Sequence, residues 1–337
     1  MEKLLERVTA LESAIQEMER RRQAAESRLN RWRGLAAVLA FLVAVGLAPQ
    51  AGHADVTLAS LDQRVTAVEA KLKFLTTSGT SMVISGANLF IRNGTGSTAT
   101  TNGLGNLVIG YSELRPVSFP SGVDPNLRTG SHNLVLGVRN NYASYGGMVA
   151  GFGNDIRAPY ACVSGGRGNI ASGYAASVTG GELNTASSLV SSVSGGSHNV
   201  TMSALAASVS GGYGNTASGE WSSVSGGDRN VASGTSASVS GGDGNIAQGI
   251  VASVSGGIGN TALGNQSWVS GGEVNTASGL SASVSGGAGN LASGTFASVS
   301  GGFSNIAGGL DSSVSGGINR SAAGTGNWAA GGLFQPQ

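Results

Sequence analysis

A valine recurs at every fifteenth position through the C-terminal half of this chain, each time inside a nearly identical Ser-Val-Ser-Gly-Gly segment. One additional residue between Val193 and Val209 breaks the period once, and degenerate copies at Met148 and Ala329 extend the series to thirteen. Helical repeats need about 34 residues and leucine-rich repeats about 20 or more. So short a period therefore predicts a solenoid in which each unit closes one small coil of parallel β-structure. The valines are Val163, Val178, Val193, Val209, Val224, Val239, Val254, Val269, Val284, Val299 and Val314.

Each unit also predicts its own internal geometry. Ser-Val-Ser alternates with the period of a strand, so the valine is expected to face inward and both serines outward. The Gly-Gly pair predicts a tight corner, and Ala-Ser-Gly at the end of most units predicts a second corner. An asparagine stands six residues after Met148 and after each repeat valine from Val163 to Val299, and we expect these side chains to stack and to pair amide to amide in a structural ladder. They are Asn154, Asn169, Asn184, Asn199, Asn215, Asn230, Asn245, Asn260, Asn275, Asn290 and Asn305.

The composition indicates a repetitive fibrous protein. The chain has 57 glycines, 11% charged residues and 5% aromatic residues, which is unlike an enzyme core. At about 4.8 Å per coil, thirteen coils make a rod about 60 Å long. So thin a roll buries few large side chains, which predicts that copies pack together as a homo-oligomer.

The same composition gives little support for cofactors or nucleic acid. The net charge is only +1, and the repeats do not interleave basic and aromatic residues, so no nucleic-acid partner is expected. The single Cys162 stands where most units have serine. Three histidines, His53, His132 and His198, lie far apart and form no metal motif, so we expect neither a metal nor another cofactor.

The segment 1–54 is predicted to contain a helical region followed by an apolar region that is either a membrane anchor or an export signal. In residues 1–34, mostly apolar residues alternate in steps of three and four, which is typical of a coiled coil, here on the cytoplasmic side. The apolar run Leu35–Ala48 covers about 21 Å at 1.5 Å per residue, less than the roughly 30 Å of a membrane core. Arginines precede it, and Gly52-His53-Ala54 is a candidate cleavage site. Residues 35–54 are thus either a retained anchor or a cleaved signal, and both alternatives export the remaining chain.

A second heptad seam predicts a coiled-coil stalk over residues 55–76, and an irregular start of the roll follows over 77–147. The segment 112–129 carries three of the six prolines and predicts a loop. If this region has a local binding site, its candidates are Arg115, Asp124 and Arg128, although ordinary solvated loop charge is the simpler interpretation. The regular 15-residue repeat then spans 148–332, and residues 333–337 form a tail. The seam residues of the stalk are Leu58, Leu61, Val65, Val68, Leu72 and Leu75.

Two segments of the repeat carry a resemblance to a known family. Asn-Leu-Val-Ile-Gly at 106–110 and Ser-Val-Ser-Gly-Gly-x-x-Asn-x-Ala-Ser-Gly at 223–234 resemble the Ser-Val-Ala-Ile-Gly-x-x-Ala-x-Ala-x-Gly repeat of YadA-like head domains in trimeric autotransporter adhesins. The resemblance covers about residues 88–332. It implies a trimer of left-handed parallel β-rolls on a trimeric coiled coil, displayed outside the cell to bind surfaces.

This chain departs from that family in two respects. Gly226 and Gly241 stand where the family has isoleucine, which thins the expected apolar contact. The membrane β-barrel with which such adhesins end is not recognised after the repeats, so we expect an N-terminal anchor, a distal head and Trp328, Leu333 and Phe334 as a cap of the roll.

Three classes of function remain open from the sequence. The first is a non-enzymatic, adhesin-like fibre at the cell surface or outside the cell, binding surfaces or matrix through its head. The second is ice binding by the repeated Ser-Val-Ser face. The third is a polysaccharide-acting enzyme, for which Asp228 and Asp243, one repeat apart, are the only carboxylate pair of suitable spacing. Because that pair is expected to be exposed and unsupported, we predict no catalytic activity and no catalytic residues.

Overall fold

The computed structural model describes residues 58–116, 126–202 and 205–331, together with residues 16, 18–20, 22, 23 and 26. The described residues between 16 and 26 are helical and exposed. The remainder of the predicted coiled coil 1–34, the apolar run 35–48 and the tail 333–337 lie outside this part of the chain. Within it, no helix combines the length and apolarity that crossing a membrane requires.

The chain divides into two compact units, residues 1–89 and Phe90–Gln337. In the first unit, helix α1 (Leu58–Leu72) precedes an antiparallel hairpin of β1 (Leu75–Ser78) and β2 (Ser81–Ile84). Gly79 turns the hairpin with φ +59°, a conformation that costs glycine little. The sequence predicted the helix but not the hairpin, which begins at the last seam residue, Leu75.

The second unit is a solenoid built from two parallel sheets. Each strand pairs with the equivalent strand of the next coil, as Val224 does with Val239 and Ala232 does with Ala247. From Val163 onwards, successive strands of one sheet are therefore one sequence period apart, and the coil predicted from the period is confirmed. At the start of the series, Val149 pairs with Val163 and is fully buried, so the degenerate copy predicted at Met148 is wrong by one residue. A third row of single parallel bridges runs between the sheets, for example from Asp228 to Asp243.

The two sheets contain 15 and 13 strands in the described part of the solenoid. The first comprises β3 (Leu107–Ile109), β4 (Leu134–Val138), β6 (Met148–Phe152), β8 (Cys162–Val163), β10 (Ser177–Val178), β12 (Ser192–Val193), β14 (Ser208–Val209), β16 (Ser223–Val224), β18 (Ser238–Val239), β20 (Ser253–Val254), β22 (Trp268–Val269), β24 (Ser283–Val284), β26 (Ser298–Val299), β28 (Ser313–Val314) and β30 (Trp328–Ala329). The second comprises β5 (Asn141–Tyr142), β7 (Asp155–Ile156), β9 (Ile170–Ala171), β11 (Thr185–Ala186), β13 (Val200–Thr201), β15 (Thr216–Ala217), β17 (Val231–Ala232), β19 (Ile246–Ala247), β21 (Thr261–Ala262), β23 (Thr276–Ala277), β25 (Leu291–Ala292), β27 (Ile306–Ala307) and β29 (Ser321–Ala322).

The core of the solenoid is a stack of small side chains. We count positions in each coil from its valine, which is position 0. Every repeat valine is at most 1% exposed, as predicted, and the residue at position +8, usually alanine, is buried beside it. Position +13 adds alanine or serine, as at Ala237 and Ser222. No large side chain is needed because each coil encloses so little volume.

Close stacking explains two of the glycines in each coil. A Cβ on Gly227, at position +3, would lie 2.2 Å from the carbonyl oxygen of Gly242, and φ there is +89°. A Cβ on Gly234, at position +10, would lie 2.0 Å from the carbonyl oxygen of Gly249. By contrast, a Cβ on Gly226, at position +2, would meet nothing within 4 Å. Of the Gly-Gly pair, only the second residue must therefore be glycine for the corner to form.

The predicted loop 112–129 belongs to one enlarged coil. Leu107 pairs directly with Leu134, so this coil step is longer than a regular one and contains the extra segment. Residues 117–125 of the segment lie outside the described part of the chain. Its two ends return to the same ladder, so the solenoid continues across the loop without a change of register.

Candidate binding surfaces

The asparagine ladder is internal, and its hydrogen bonds differ from those predicted. Asn230 Nδ2 donates to the carbonyl oxygens of Gly226 and Gly242, both at 2.9 Å. Its Oδ1 accepts from the backbone N–H of Asn245 at 2.9 Å. Every ladder asparagine is at most 1% exposed. The amide-to-amide expectation is wrong for most of the ladder because Nδ2 donates to the carbonyl oxygens of the corner glycines instead. The carbonyl oxygen of Gly226 has no other donor among the described residues, so the amide satisfies it.

The Ser-Val-Ser face is the most regular surface of the solenoid. Serines at position −1 are half-buried and those at +1 are mostly exposed, which forms two parallel rows of hydroxyl groups. The glycines at +2 add a neighbouring row without side chains. Within the first row, Ser238 Oγ donates to Ser253 Oγ at 3.2 Å. The face is therefore nearly flat and repeats once per coil.

Tryptophan interrupts the hydroxyl row at two coils. Trp268 and Trp328 both occupy position −1, where they are 44% and 68% exposed. Trp328 Nε1 donates to Ser315 Oγ at 2.7 Å. Trp328 thus projects from the side of the solenoid, and the prediction that it caps the open end is wrong; Leu333 and Phe334 lie outside the described residues.

Of the three predicted loop candidates, Arg115 is buried instead of solvated. It is only 4% exposed. Its Nε donates to the carbonyl oxygen of Arg139 at 2.7 Å and its Nη2 to that of Asn154 at 2.6 Å. Nη1 lies 3.9 Å from Asp155 Oδ2. Burial lowers the pKa of Arg115, and the nearby Asp155 carboxylate opposes that effect.

Arg128 holds the other end of the same loop. Its guanidinium donates to the carbonyl oxygens of Ser112 and Glu113, and its Nε donates to that of Asn140 at 3.2 Å. Asp124 lies outside the described residues. The two arginines therefore attach the loop to the solenoid. Their N–H groups donate to backbone carbonyl oxygens.

The carboxylate pair considered for catalysis is bridged by an arginine. Arg229 lies 3.1 Å from Asp228 Oδ1 and 3.8 Å from Asp243 Oδ1. Its hydrogen bond to Asp228 and the charges of both aspartates raise the pKa of Arg229. An exposed, ion-paired carboxylate lacks the apolar pocket in which a general acid is held.

The remaining polar candidates are dispersed. Among the described residues, no three histidine, cysteine, aspartate or glutamate side chains cluster as metal ligands would. His132 Nε2 accepts from the N–H of Asn93 at 3.2 Å, and His198 Nδ1 lies 2.7 Å from Ser197 Oγ. Cys162 lies half-buried in the serine row, with Sγ 3.5 Å from Ser164 Oγ.

No family model matches this chain, and no curated protein is significantly similar to it in sequence. The surfaces that the two units expose therefore carry the evidence on function.

Two apolar surfaces stand out near the start of the described chain. Helix α1 exposes Leu61, Val65, Val68 and Leu72, each by 48–52%. At the beginning of the solenoid, Val108 is 37% exposed although the equivalent Val135 is only 4% exposed. Exposed side chains of this size, spaced as a seam on the helix, are what another chain would cover.

A third surface, which we call the corner ridge, was missed by the sequence analysis. Positions +11 and +12 of many coils carry exposed apolar or aromatic side chains. Tyr145, Tyr160 and Tyr174 stack edge to face there, with ring centroids 5.5 Å apart. The signal in the sequence was the lack of a fixed residue at these two positions within an otherwise constant repeat. The exposed members are Tyr160, Tyr174, Leu189, Val190, Trp221, Ile250, Val251, Leu280, Phe296 and Leu310.

Proposed function

We propose that this protein is a non-enzymatic, adhesin-like fibre that binds surfaces or matrix through many equivalent contacts along its solenoid head. The observation that carries the proposal is the repeated face, which presents the same hydroxyl and glycine rows on coil after coil. Identical weak contacts that act together raise the overall affinity without a deep pocket. The resemblance to YadA-like head domains supports the same role.

The proposal includes assembly of several copies, as a homotrimer on the pattern of that family. The seam of α1 supports assembly, because Leu61, Val65 and Val68 are about half exposed along one helical stripe. Helices with such a stripe bury it against copies of themselves in a coiled coil. Joining the helices to an assembling head raises their effective concentration.

We further propose that the head lies outside the cell. The apolar run 35–48, with arginines before it and the repeats after it, supports export of everything beyond residue 54. A retained segment would attach the fibre to a membrane, and a cleaved segment would release it.

The test of assembly is the absolute mass of a purified fragment covering residues 55–337, measured by light scattering after size exclusion. A mass of three chains is expected. Val65→Asp should dissociate the helices because it places a charge in the seam, whereas Thr66→Asp, an exposed neighbour, should leave the mass unchanged. A folded monomer in the unmodified fragment would contradict the proposal.

The test of binding compares the trimer with the Val65→Asp monomer on immobilised matrix proteins and on whole cells. Because of avidity, we expect the trimer to dissociate from the surface at a rate at least tenfold lower than that of the monomer. Equal dissociation of the two forms would show that binding does not depend on repeated contacts.

Ice binding is the second candidate, favoured by the flat double row of serine hydroxyls beside a glycine row. Serine lacks the methyl group of threonine, so this face is more hydrated than a regular threonine array. Thermal hysteresis and ice-crystal shaping by the soluble head measure the activity directly. The absence of both at millimolar protein would eliminate this candidate.

A further inference from the structure

An open trough in the described part of the solenoid has a lining that differs from that of the regular coils. It has a volume of about 670 Å³ and runs across four successive coils on the side that carries positions +9 to +11. Its polar wall includes Ser187, Ser218, Glu220 and Thr235, and its apolar wall includes Leu189 and Leu205. The trough lies beside the corner ridge.

The trough coincides with the one break in the 15-residue period between Val163 and Val314. Position +10 is glycine in almost every coil, since a Cβ there would approach the next coil too closely; at Gly173 it would lie 1.9 Å from the carbonyl oxygen of Ser188. Ser188 is itself a non-glycine residue at +10. In the sequence of the following unit, Met202 and Leu205 are separated by one residue more than the equivalent positions of other units. The serine at position +10 and the additional residue are therefore paired irregularities in two neighbouring coils.

The polar side chains of the trough are available to a ligand. The side chains of Ser218, Glu220 and Thr235 make no hydrogen bond or ion pair within the described part of the chain. Ser187 Oγ donates to the carbonyl oxygen of Thr201 at 2.7 Å, so its oxygen can still accept. The wall thus supplies one carboxylate and several hydroxyls, which together can accept and donate hydrogen bonds.

Glu220 gives the trough its charge. It is the only charged residue at position +11 between Tyr174 and Thr325, and no basic residue lines the trough. A carboxylate makes charge-assisted hydrogen bonds to neutral hydroxyl donors. An anionic ligand would bring two like charges together with no cation to offset them.

An aromatic ring lies next in the chain to this carboxylate. Trp221 follows Glu220 directly and is 54% exposed on the corner ridge. A sugar presents hydroxyl groups at its rim and C–H groups on its faces, which suits a carboxylate and hydroxyls beside leucine and tryptophan. The coil spacing of about 4.8 Å is also close to the length of one sugar residue in an extended glycan.

We propose that this trough is a binding site for a neutral oligosaccharide, with Glu220 as its principal hydrogen-bond acceptor and Trp221 as a flanking stacking surface. The assignment rests on the proposed binding role, and it names a ligand class and a location for it. Regular coils lack the combination, so the site occurs once per chain among otherwise equivalent contacts.

The experiment is isothermal titration of the full chain with tetrasaccharides of glucose, mannose, galactose and N-acetylglucosamine, and with a hyaluronan tetrasaccharide as the anionic comparison. We expect at least one neutral tetrasaccharide to bind and the hyaluronan fragment not to bind. Glu220→Gln should weaken binding at least tenfold because it removes the charge and keeps the shape. Glu182→Gln, the same change at an exposed acid away from the trough, should leave the affinity unchanged.

Circular dichroism of both variants establishes that the solenoid is intact, so a loss of binding reports on the trough alone. Binding of no neutral tetrasaccharide, or equal affinity of the unmodified chain and Glu220→Gln, would overturn the assignment, and avid surface binding by the trimer would then leave the adhesive role standing. Conversely, trough binding that depends on Glu220 in a chain that adheres to no surface would support the site and contradict the adhesive role.

Discussion

The side chain of Asn230 joins its own coil to the next one through three hydrogen bonds, each 2.9 Å long. Among the described residues, the carbonyl oxygen of Gly226 and the backbone N–H of Asn245 have no other partner, whereas the carbonyl oxygen of Gly242 also accepts from the N–H of Asp228 at 2.9 Å. Since Asn245 is fully buried, its N–H would lose its partner away from solvent if the amide were removed. The ladder is thus a stack of corner braces, one in each coil.

Removing one brace should be costly. Asn230→Ala is expected to lower the free energy of unfolding by about 2 kcal/mol, because two backbone groups, the carbonyl of Gly226 and the N–H of Asn245, lose their partner. Denaturant titration measures the loss, and hydrogen exchange should accelerate at the amide of Asn245. The matched control is Asn265→Ala, which removes one bond at an exposed corner and should cost less than about 1 kcal/mol. Equal losses in the two variants would contradict the brace.

The Gly-Gly pair offers a second test at the level of single atoms. Gly227→Ala should destabilise the solenoid by more than about 3 kcal/mol, since its Cβ would overlap the carbonyl oxygen of Gly242 at positive φ. Gly226→Ala, one residue earlier, has open space around its Cβ and should change stability by less than about 0.5 kcal/mol. Thermal melting of the two variants separates these outcomes, and similar melting points would refute the close approach.

At this scale, much of the interior was predictable and the hydrogen bonds were not. The alternation of Ser-Val-Ser was enough to predict that Val224 faces inward, because strand geometry is independent of the neighbouring coil. The partners of Asn230 depend on where the corner leaves carbonyls without donors. That geometry is set by the stacking of two coils and does not follow from spacing alone.

At the scale of elements, the enlarged coil is held by its arginines. Arg115 spans from the loop to the carbonyl oxygens of Arg139 and Asn154, which belong to the two coils that follow. Asp155, 1% exposed, lies against Arg115 and Arg157, so charge is balanced inside the solenoid. An insertion of this length is thereby docked without disturbing the ladder on either side of it.

Arg115→Ala should release the loop. The expected cost is about 3 kcal/mol, since the change leaves a buried carboxylate with one fewer cation and the carbonyl oxygen of Arg139 without a donor. The backbone N–H at this position donates to Asn126 Oδ1, so faster hydrogen exchange there reports that the loop contact is lost. Arg167→Ala removes only an exposed ion pair with Glu182 and should cost less than about 1 kcal/mol. Unchanged exchange in Arg115→Ala would show that the loop is held by other contacts.

The sequence pattern distinguished helix from solenoid but placed their boundary poorly. The heptad spacing extends to Leu75, whereas α1 ends at Leu72 and Leu75 begins a strand. Leucine suits both elements, so its spacing alone could not decide between them. The interpretation of Arg115 as solvated charge failed for a related reason, because the partners that bury it lie 24 and 39 residues further along the chain.

At the scale of the whole solenoid, stability is expected to be a sum over stacked coils. Each coil of the regular part contacts the one before it and the one after it through the same pairs of strands. A repeat of this kind tolerates a change in the number of units better than a change in their length. The period made this architecture predictable, whereas the number of copies in the assembly depends on surfaces that only a second chain would cover.

Deletion of whole and incomplete coils tests this directly. Removal of residues 226–240, one complete period, should leave a folded solenoid whose melting temperature falls by a few degrees. Removal of 226–241, one residue more, moves Asp243 into position +3, where a Cβ overlaps the next coil, and should abolish cooperative folding of the adjacent coils. Circular dichroism during heating measures both. Similar melting of the two deletions would mean that coil length is not constrained.

Near-identical coils create a hazard while the chain folds. A nascent coil can skip its neighbour and stack on the coil beyond, where it meets the same valine, alanine and asparagine. One whole repeat is then looped out, and the hydrogen bonds of the asparagine ladder still form, so the error costs little free energy. The irregular coil removes this degeneracy at one point. If it were skipped, Ser188 would face the tight corner at Gly219, where regular stacking leaves no room for a Cβ. The break in the 15-residue period between Val193 and Val209 is therefore a position at which a skipped coil does not fit, and it helps to fix the register of the coils on both sides.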